Sequence, residues 1–222
     1  PDSASNPSPP RADQLALRTA TRIAELEAVL DDLPGIAARA GVPGGVDAAR
    51  VAVGGHSYGT VIALAKAGLP FVGTDGGPVS YRNPRVRAAV IMSGVGPVEG
   101  VMAPGGFATL TLPLIATGGT LDEGNIGSPV VYPWEWRLGA YDLAPPGDKY
   151  RVALEGGDHY LGGLICRPDR GGPADPAGLR LDAGLTLAFL DAYLRDDAAA
   201  RRFLASTDIA AATGGRVRFA RK

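Results

Sequence analysis

Apolar residues recur at two different spacings along the chain, and the alternation of these spacings predicts the order of its secondary structure. Over residues 11–33 and again over 179–194, apolar side chains return every three or four positions, which is typical of helices with one buried face. Four short runs rich in apolar and β-branched residues predict strands at 50–54, 86–92, 112–117 and 150–154. Residues 57–68 have a helical composition and directly follow the first of these strands.

The segments between these elements are expected to be loops. Residues 1–10 are rich in Pro, Ser and Asn and predict an extended lead-in, the first helix is expected to end near Pro34, and residues 70–84 predict a glycine-rich loop. Residues after Asp196 are expected to form a polar, alanine-rich tail with room for one short helix. Short strands alternating with helices predict an α/β fold with a mostly parallel sheet flanked by helices.

The composition narrows the range of functions. The chain has 222 residues, with 22 Lys and Arg against 23 Asp and Glu, so no excess of positive charge is present to bind a nucleic-acid backbone. The single Cys166 excludes an intrachain disulfide framework and a cysteine-based zinc site. No apolar run approaches the ~18–20 residues of a membrane span. We therefore expect a soluble domain acting on a small molecule, with no membrane span and no bound metal.

The sequence Gly55-His56-Ser57-Tyr58-Gly59 matches the pattern G-x-S-x-G between the first predicted strand and the helix after it. In that context the pattern predicts a nucleophile elbow, in which a strained, tight turn lifts the Ser57 hydroxyl above the sheet. Small residues are expected to be required at both glycine positions. The backbone N–H of Tyr58 then lies at the start of a helix and can stabilise an oxyanion. The alternative is a glycine-rich turn with an incidental serine.

A serine hydroxyl needs a base, and the chain has only two histidines. His56 lies inside the elbow, and we expect its side chain to point away from the active face and to be structural. His159 follows the fourth predicted strand, at the end of a parallel sheet where active-site loops gather. His159 is therefore the predicted base, and a surface loop histidine is the alternative.

The third residue is expected to be a carboxylate that orients the imidazole. In the chain order Ser, Asp or Glu, His, it lies between 57 and 159, and Asp122 follows the third predicted strand. Glu123 and Asp158 are alternatives with poorer expected geometry. Weaker candidates lie in the same interval: Asp75, Glu99, Glu135, Asp142, Asp148 and Glu155.

These blocks resemble the α/β-hydrolase superfamily, and more narrowly the dienelactone-hydrolase-like and platelet-activating-factor-acetylhydrolase-like esterases. The resemblance spans about residues 11–195 and depends on 46–59 with the elbow, on 113–115 with Asp122, and on 155–159. It implies a single α/β-hydrolase domain over 1–222, with 96–149 partly an insertion or lid, that hydrolyses carboxylic esters without a cofactor through Ser57, His159 and Asp122. Dienelactone hydrolases use a cysteine where this chain has Ser57, which favours the esterase branch. Acyl transfer by the same residues and a non-catalytic binding subunit remain as alternatives.

The resemblance also predicts that part of the sheet lies outside this chain. Family members place three or four strands before the elbow, whereas only 56 residues precede Ser57 here. The loop that supplies the second oxyanion N–H has no counterpart in residues 1–50. We expect the chain to be the C-terminal portion of a longer protein, with an associated N-terminal fragment or a second chain completing the sheet. With neither an initiating Met nor a signal-peptide core, the chain is expected to be processed or trimmed, and both cytoplasmic and secreted locations stay open.

Several further residues have two interpretations. The aromatic residues between the predicted acid and base, Tyr132, Trp134, Trp136 and Tyr141, are expected either to form a lid or acyl pocket or to pack the insertion against the sheet. Cys166 is expected to be a buried thiol. Arg82, Arg85 and Arg87 are expected to lie on a solvated face.

Overall fold

A central β-sheet with helices on both faces organises the computed structural model, which describes residues 12–124, 130–169 and 172–222, without the side chains of 12–17. The helices and strands follow in the order α1 (Ala12–Asp31), α2 (Leu33–Arg39), β1 (Val51–His56), α3 (Gly59–Ala67), β2 (Phe71–Val72), β3 (Pro78–Val79), β4 (Val86–Met92), β5 (Leu114–Gly119), α4 (Gly139–Asp142), β6 (Lys149–Leu154), α5 (Pro176–Leu194), α6 (Ala198–Ser206), α7 (Ile209–Ala212) and β7 (Val217–Arg221). Two 3₁₀ helices, Gly106–Thr109 and Trp134–Leu138, flank β5 in the chain.

The sheet has five strands in the order β1-β4-β5-β6-β7. The first four strands pair in parallel, and β7 pairs antiparallel with β6. The fold is therefore α/β with a mostly parallel sheet flanked by helices, as the alternating pattern predicted. Within the described residues β1 pairs only with β4, so it lies at one edge of the sheet.

Both faces of the sheet are buried, which explains why its inner strands appear as continuous apolar runs rather than alternating ones. Successive residues of a strand point to opposite faces. Ala89 and Ile91 of β4 pack into one core cluster with α1 and α3, whereas Ala88 and Val90 pack into a second cluster with α5.

Buried polar contacts attach α1 to the helix that follows β1. Lys66 of α3 is only 3% exposed, and its ammonium group pairs with Glu27 of α1. The Asn83 side chain donates to the other carboxylate oxygen of Glu27 at 2.7 Å, and Arg85 pairs with Asp31 at 2.6 Å. Arg85 therefore links two elements, whereas Arg82 and Arg87 are exposed, so the prediction of a solvated face holds for those two residues and not for Arg85.

Two predictions about loops and ends are wrong. The chain after Asp196 forms α6, α7 and β7, because Leu204, Ile209 and Val217 bury their side chains against the sheet. The predicted loop 70–84 contains a two-stranded antiparallel hairpin of β2 and β3. The first helix ends at Asp31, near Pro34 as predicted, and Pro34 then lies in the first turn of α2, where a proline is tolerated.

The remaining expectations concern the lead-in at 1–10, the lid within 96–149 and membrane-spanning helices. The lead-in at 1–10 lies outside the described residues. Residues 96–149, expected to be partly a lid, contain β5 at the centre of the sheet, and the side chains of Trp134 and Trp136 pack against the core cluster. No helix in the described part of the chain has both the length and the apolarity needed to cross a membrane.

Candidate active site

Ser57 occupies a tight turn between β1 and α3. Its φ of 55° lies in the left-handed region, which a non-glycine residue adopts only at a cost. The backbone holds this conformation, because the Ser57 N–H donates to the Met92 carbonyl at 3.0 Å and the Thr60 hydroxyl donates to the Ser57 carbonyl at 2.6 Å. The strand, turn and helix thus present the serine at the carboxyl end of the sheet.

The two glycines of the motif differ in what they require. A Cβ at Gly55 would lie 2.3 Å from the backbone of Gly59, so only glycine fits there. A Cβ at Gly59 would meet nothing within 4 Å. The prediction that both ends of the motif need small residues is therefore wrong at Gly59, since the first turn of α3 faces open space at that position.

His159 and Asp122 are hydrogen-bonded in series to Ser57. The Nε2 atom of His159 lies 2.8 Å from the Ser57 Oγ atom, and its Nδ1 atom lies 2.8 Å from Oδ1 of Asp122. A carboxylate can only accept, so Nδ1 carries the proton and Nε2 is left to accept the serine O–H. The structure thus brings together the three residues that the sequence singled out, and we refer to them as the Ser57–His159–Asp122 array.

The loops after β5 and β6 deliver Asp122 and His159 because their backbones approach very closely. A Cβ at Gly119 would lie 2.1 Å from the Gly157 carbonyl oxygen, so a side chain there would push the two loops apart. The Leu121 N–H donates to that same Gly157 carbonyl at 2.9 Å. Neighbouring parallel strands and a glycine contact therefore place the acid next to the imidazole.

Asp158 shapes the loop that carries His159. Its carboxylate accepts the backbone N–H groups of Tyr160 and Gly162 at 2.9 Å and of Gly172 at 2.6 Å. Burial by itself raises the pKa of Asp158, but these three donors outweigh it and leave the pKa below its usual value. Asp158 therefore orders the loop backbone, which accounts for a carboxylate beside the imidazole in sequence that does not bind the ring.

His56 lies against His159, so the prediction that its side chain points away is wrong. Its Nε2 atom is 2.8 Å from the His159 carbonyl oxygen, and the two ring centroids are 4.7 Å apart. The loop after β6 crosses to reach Ser57 and therefore meets the last side chain of β1. Burial, foremost, lowers the pKa of His56 below its usual value, and a neutral ring with its proton on Nε2 can donate to that carbonyl.

Arg137 is part of the site although no sequence motif predicts it. It is 6% exposed, and its Nε atom lies 3.0 Å from the same Oδ1 atom of Asp122 that faces His159. The guanidinium also donates to the carbonyls of Gly94 at 3.3 Å and Glu123 at 3.1 Å. A single arginine flanked by Trp136 and Leu138 was the available signal, since a cation in an apolar segment needs a buried partner.

The alternative acids have other partners. Glu123 contributes its backbone carbonyl to Arg137, and Glu155 pairs with Arg218. Asp142 lies 3.8 Å from Arg151, Asp148 accepts from the Tyr193 hydroxyl at 2.8 Å, and Asp75 accepts from the Gly77 N–H at 2.9 Å. The described contacts give none of these five side chains a hydrogen bond to the His159 ring.

Two other candidates lie at the surface of the site region. Cys166 is exposed rather than buried: it lies in a turn with a φ of 64°, although its neighbour Ile165 packs against the second core cluster. Tyr58 is 40% exposed, and its hydroxyl is 2.9 Å from the Thr19 hydroxyl of α1. In the described part of the chain, no group of three or more His, Cys, Asp or Glu side chains is placed to hold a metal ion.

No model of a known protein family matches this sequence, and no curated protein matches it either.

Proposed function

We propose that this protein is a serine hydrolase of the α/β-hydrolase superfamily that cleaves carboxylic esters through an acyl-enzyme. The observation that carries the proposal is the pair of 2.8 Å contacts that join Ser57 Oγ to His159 Nε2 and His159 Nδ1 to Asp122 Oδ1. Nucleophile, base and orienting acid are the constellation that acyl transfer by serine requires. A strand-turn-helix elbow with Ser57 at positive φ supports the same assignment.

In the first half of the proposed reaction, Ser57 attacks the acyl carbon while His159 takes the hydroxyl proton at Nε2. Asp122 accepts the Nδ1–H and stabilises the imidazolium that forms. The oxyanion of the tetrahedral intermediate lies near the backbone N–H of Tyr58, where the start of α3 favours negative charge. His159 then protonates the leaving alcohol, and the acyl group stays on Ser57.

In the second half, His159 removes a proton from water, and the resulting attack releases the carboxylic acid and restores Ser57. An alcohol or amine in place of this water would give acyl transfer with the same residues. We propose hydrolysis because it needs no binding site for an alcohol or amine acceptor.

The test is labelling with a fluorophosphonate probe, together with turnover of p-nitrophenyl acetate. We expect the protein to be labelled and to hydrolyse the ester, and Ser57→Ala to abolish both. Ser206→Ala is the matched control, because Ser206 lies at the end of α6 and, within the described residues, its hydroxyl donates to the Arg202 carbonyl of the same helix and to no other group. A folded protein that is neither labelled nor active would instead support a non-catalytic binding subunit.

We further propose that an additional strand, from another part of the protein or from a partner chain, pairs with the outer edge of β1. This edge lies immediately before Ser57, and Gly54 within it is exposed. An unpaired edge leaves backbone donors and acceptors available for another strand. Such a strand would also bring a second oxyanion donor close to the elbow.

Native mass spectrometry combined with amide hydrogen exchange tests this proposal. An active assembly is expected to protect the amides of β1 on both sides and to contain mass beyond this chain. A fully active monomer of 222 residues whose β1 amides exchange like those of an edge strand would overturn it.

A further inference from the structure

We propose that Arg137 is a positioning residue of the Ser57–His159–Asp122 array, which holds Asp122 in place and sets the pH at which the array becomes reactive. The inference rests on the proposed function, because it concerns the same array. It adds a residue, held by three contacts to two loops, that the serine-histidine-acid pattern does not include.

Three hydrogen-bond acceptors hold the Arg137 side chain in one orientation. The Nε atom of Arg137 lies 3.0 Å from Oδ1 of Asp122, while its two Nη atoms reach the carbonyls of Gly94 and Glu123. A guanidinium is planar and rigid, so three acceptors in different directions fix its orientation. One cation thereby connects the loop after β4, the loop after β5 and its own 3₁₀ helix, Trp134–Leu138.

Arg137 in turn holds Asp122 in position. Oδ1 of Asp122 accepts from both His159 Nδ1 and Arg137 Nε, whereas Oδ2 has no hydrogen-bond partner within the described residues. A carboxylate held through one oxygen can rotate about its Cβ–Cγ bond unless a second donor fixes that oxygen. The guanidinium supplies the second donor, so Oδ1 stays at hydrogen-bond distance from the imidazole.

The positive charge of Arg137 acts on His159 through Asp122. The pair is buried, with Asp122 only 1% exposed, so the charge of Arg137 is weakly screened. The guanidinium offsets part of the negative charge with which Asp122 favours an imidazolium at His159. The other groups facing His159 are the ring of His56, the ring of Tyr160 at 4.7 Å, and the neighbouring carboxylate of Asp158. Burial, foremost, lowers the pKa of His56, and the charge of Arg137 acts in the same direction, so replacing Arg137 also relieves this smaller effect on His56.

Two substitutions separate position from charge. Arg137→Lys keeps the positive charge but loses the fork that reaches three acceptors, and Arg137→Gln loses both. The readout is the second-order rate of fluorophosphonate inactivation as a function of pH, which gives a plateau rate at alkaline pH and a midpoint on the acid side.

Both variants are expected to lower the plateau rate, by about 10- to 100-fold, since small misplacements of a reacting group have effects of that order. Arg137→Gln is also expected to move the acid midpoint upward by about one pH unit, because Asp122 then acts on His159 without an opposing charge. Arg137→Lys is expected to leave the midpoint unchanged. Arg195→Gln is the matched control, since its side chain is 76% exposed at the end of α5 and forms its ion pair with Asp191, remote from the array.

The outcomes are distinguishable. If the unmodified protein is not labelled, the proposed function fails; if it is labelled and Arg137→Lys retains the full plateau rate, only this inference fails. Equal midpoints in the unmodified protein and Arg137→Gln would overturn the role of charge. Thermal unfolding of each variant accompanies the kinetics, and should Arg137→Gln not fold, the plateau rate of Arg137→Lys still decides the positioning role.

Discussion

Two aspartates are buried beside the same strand, β5, but they differ in the donors and cations that surround their carboxylates. Asp122 follows the end of β5 and is 1% exposed, and it accepts from His159 and Arg137. Asp182 lies on α5, is 3% exposed, and accepts a hydrogen bond from the hydroxyl of Thr117 in β5. Its Oδ1 atom has no partner in the described part of the chain.

This difference shows what decides the charge of a buried carboxylate. Loss of water disfavours the charged form at both positions, and only donors or a cation can offset the loss. Burial raises the pKa of Asp182 to about 6, because one hydroxyl is too little compensation. At Asp122 an arginine and an imidazole N–H supply the donors that Asp182 lacks. The aspartate of the Ser57–His159–Asp122 array is therefore the one that the loops surround with donors.

Replacement by asparagine is expected to lower activity strongly at Asp122 and to leave it almost unchanged at Asp182. Asp122→Asn removes the anion that orients and charges the imidazole, so we expect kcat/KM for p-nitrophenyl acetate to fall by about 10³–10⁴-fold. Asp182→Asn, the matched control, is expected to leave kcat/KM within about twofold at neutral pH. Equal losses in both variants would show that Asp122 acts through stability rather than through the array.

Asp182→Asn is expected to stabilise the protein above neutral pH. The ordinary pKa of an aspartate is 3.8 and that of Asp182 in the folded state is about 6, so folding favours the protonated form. The native protein thus loses stability as the pH rises from about 4 to about 6 and reaches a constant penalty above that range. At about pH 8 the penalty relieved by asparagine is about 2–3 kcal/mol.

Urea unfolding of both proteins across this pH range measures the effect. The difference in the free energy of unfolding should be near zero below about pH 4 and should grow with pH until it levels off. A difference that is constant with pH would mean that Asp182 does not change its protonation on unfolding. Thr117→Val provides a second check, because loss of its hydroxyl should lower the stability of the native protein mainly at high pH.

The sequence was sufficient for the residues whose roles depend on local pattern and chain order. The elbow at Ser57 and the choice of Asp122 and His159 followed from a motif and from loops after predicted strands, and the structure places these three side chains in contact. Arg137 could not be chosen in this way, because it belongs to no motif and follows no predicted strand, so only the folded structure shows that it contacts Gly94 and Asp122. Strand β7 was missed for a similar reason: only its pairing with β6 distinguishes it from a polar tail.

Substitution of His56 tests whether the loop that carries His159 is held as firmly as Asp122 is. Its expected effect on the inactivation rate is the smallest of those predicted. The His56 Nε2–H donates to the backbone carbonyl of His159 rather than to its ring, so it supports the loop and not the charge of the array. Loss of one such hydrogen bond is expected to slow fluorophosphonate inactivation about three- to tenfold in His56→Phe. His56→Gln retains an N–H donor and should recover most of the rate.

Because burial lowers the pKa of His56, its neutral ring places no second positive charge beside His159 near neutral pH. Both variants should therefore keep the acid midpoint of the unmodified protein. A midpoint that moves in His56→Phe would mean that this ring contributes charge, and a rate that is unchanged would mean that the loop needs no support from β1.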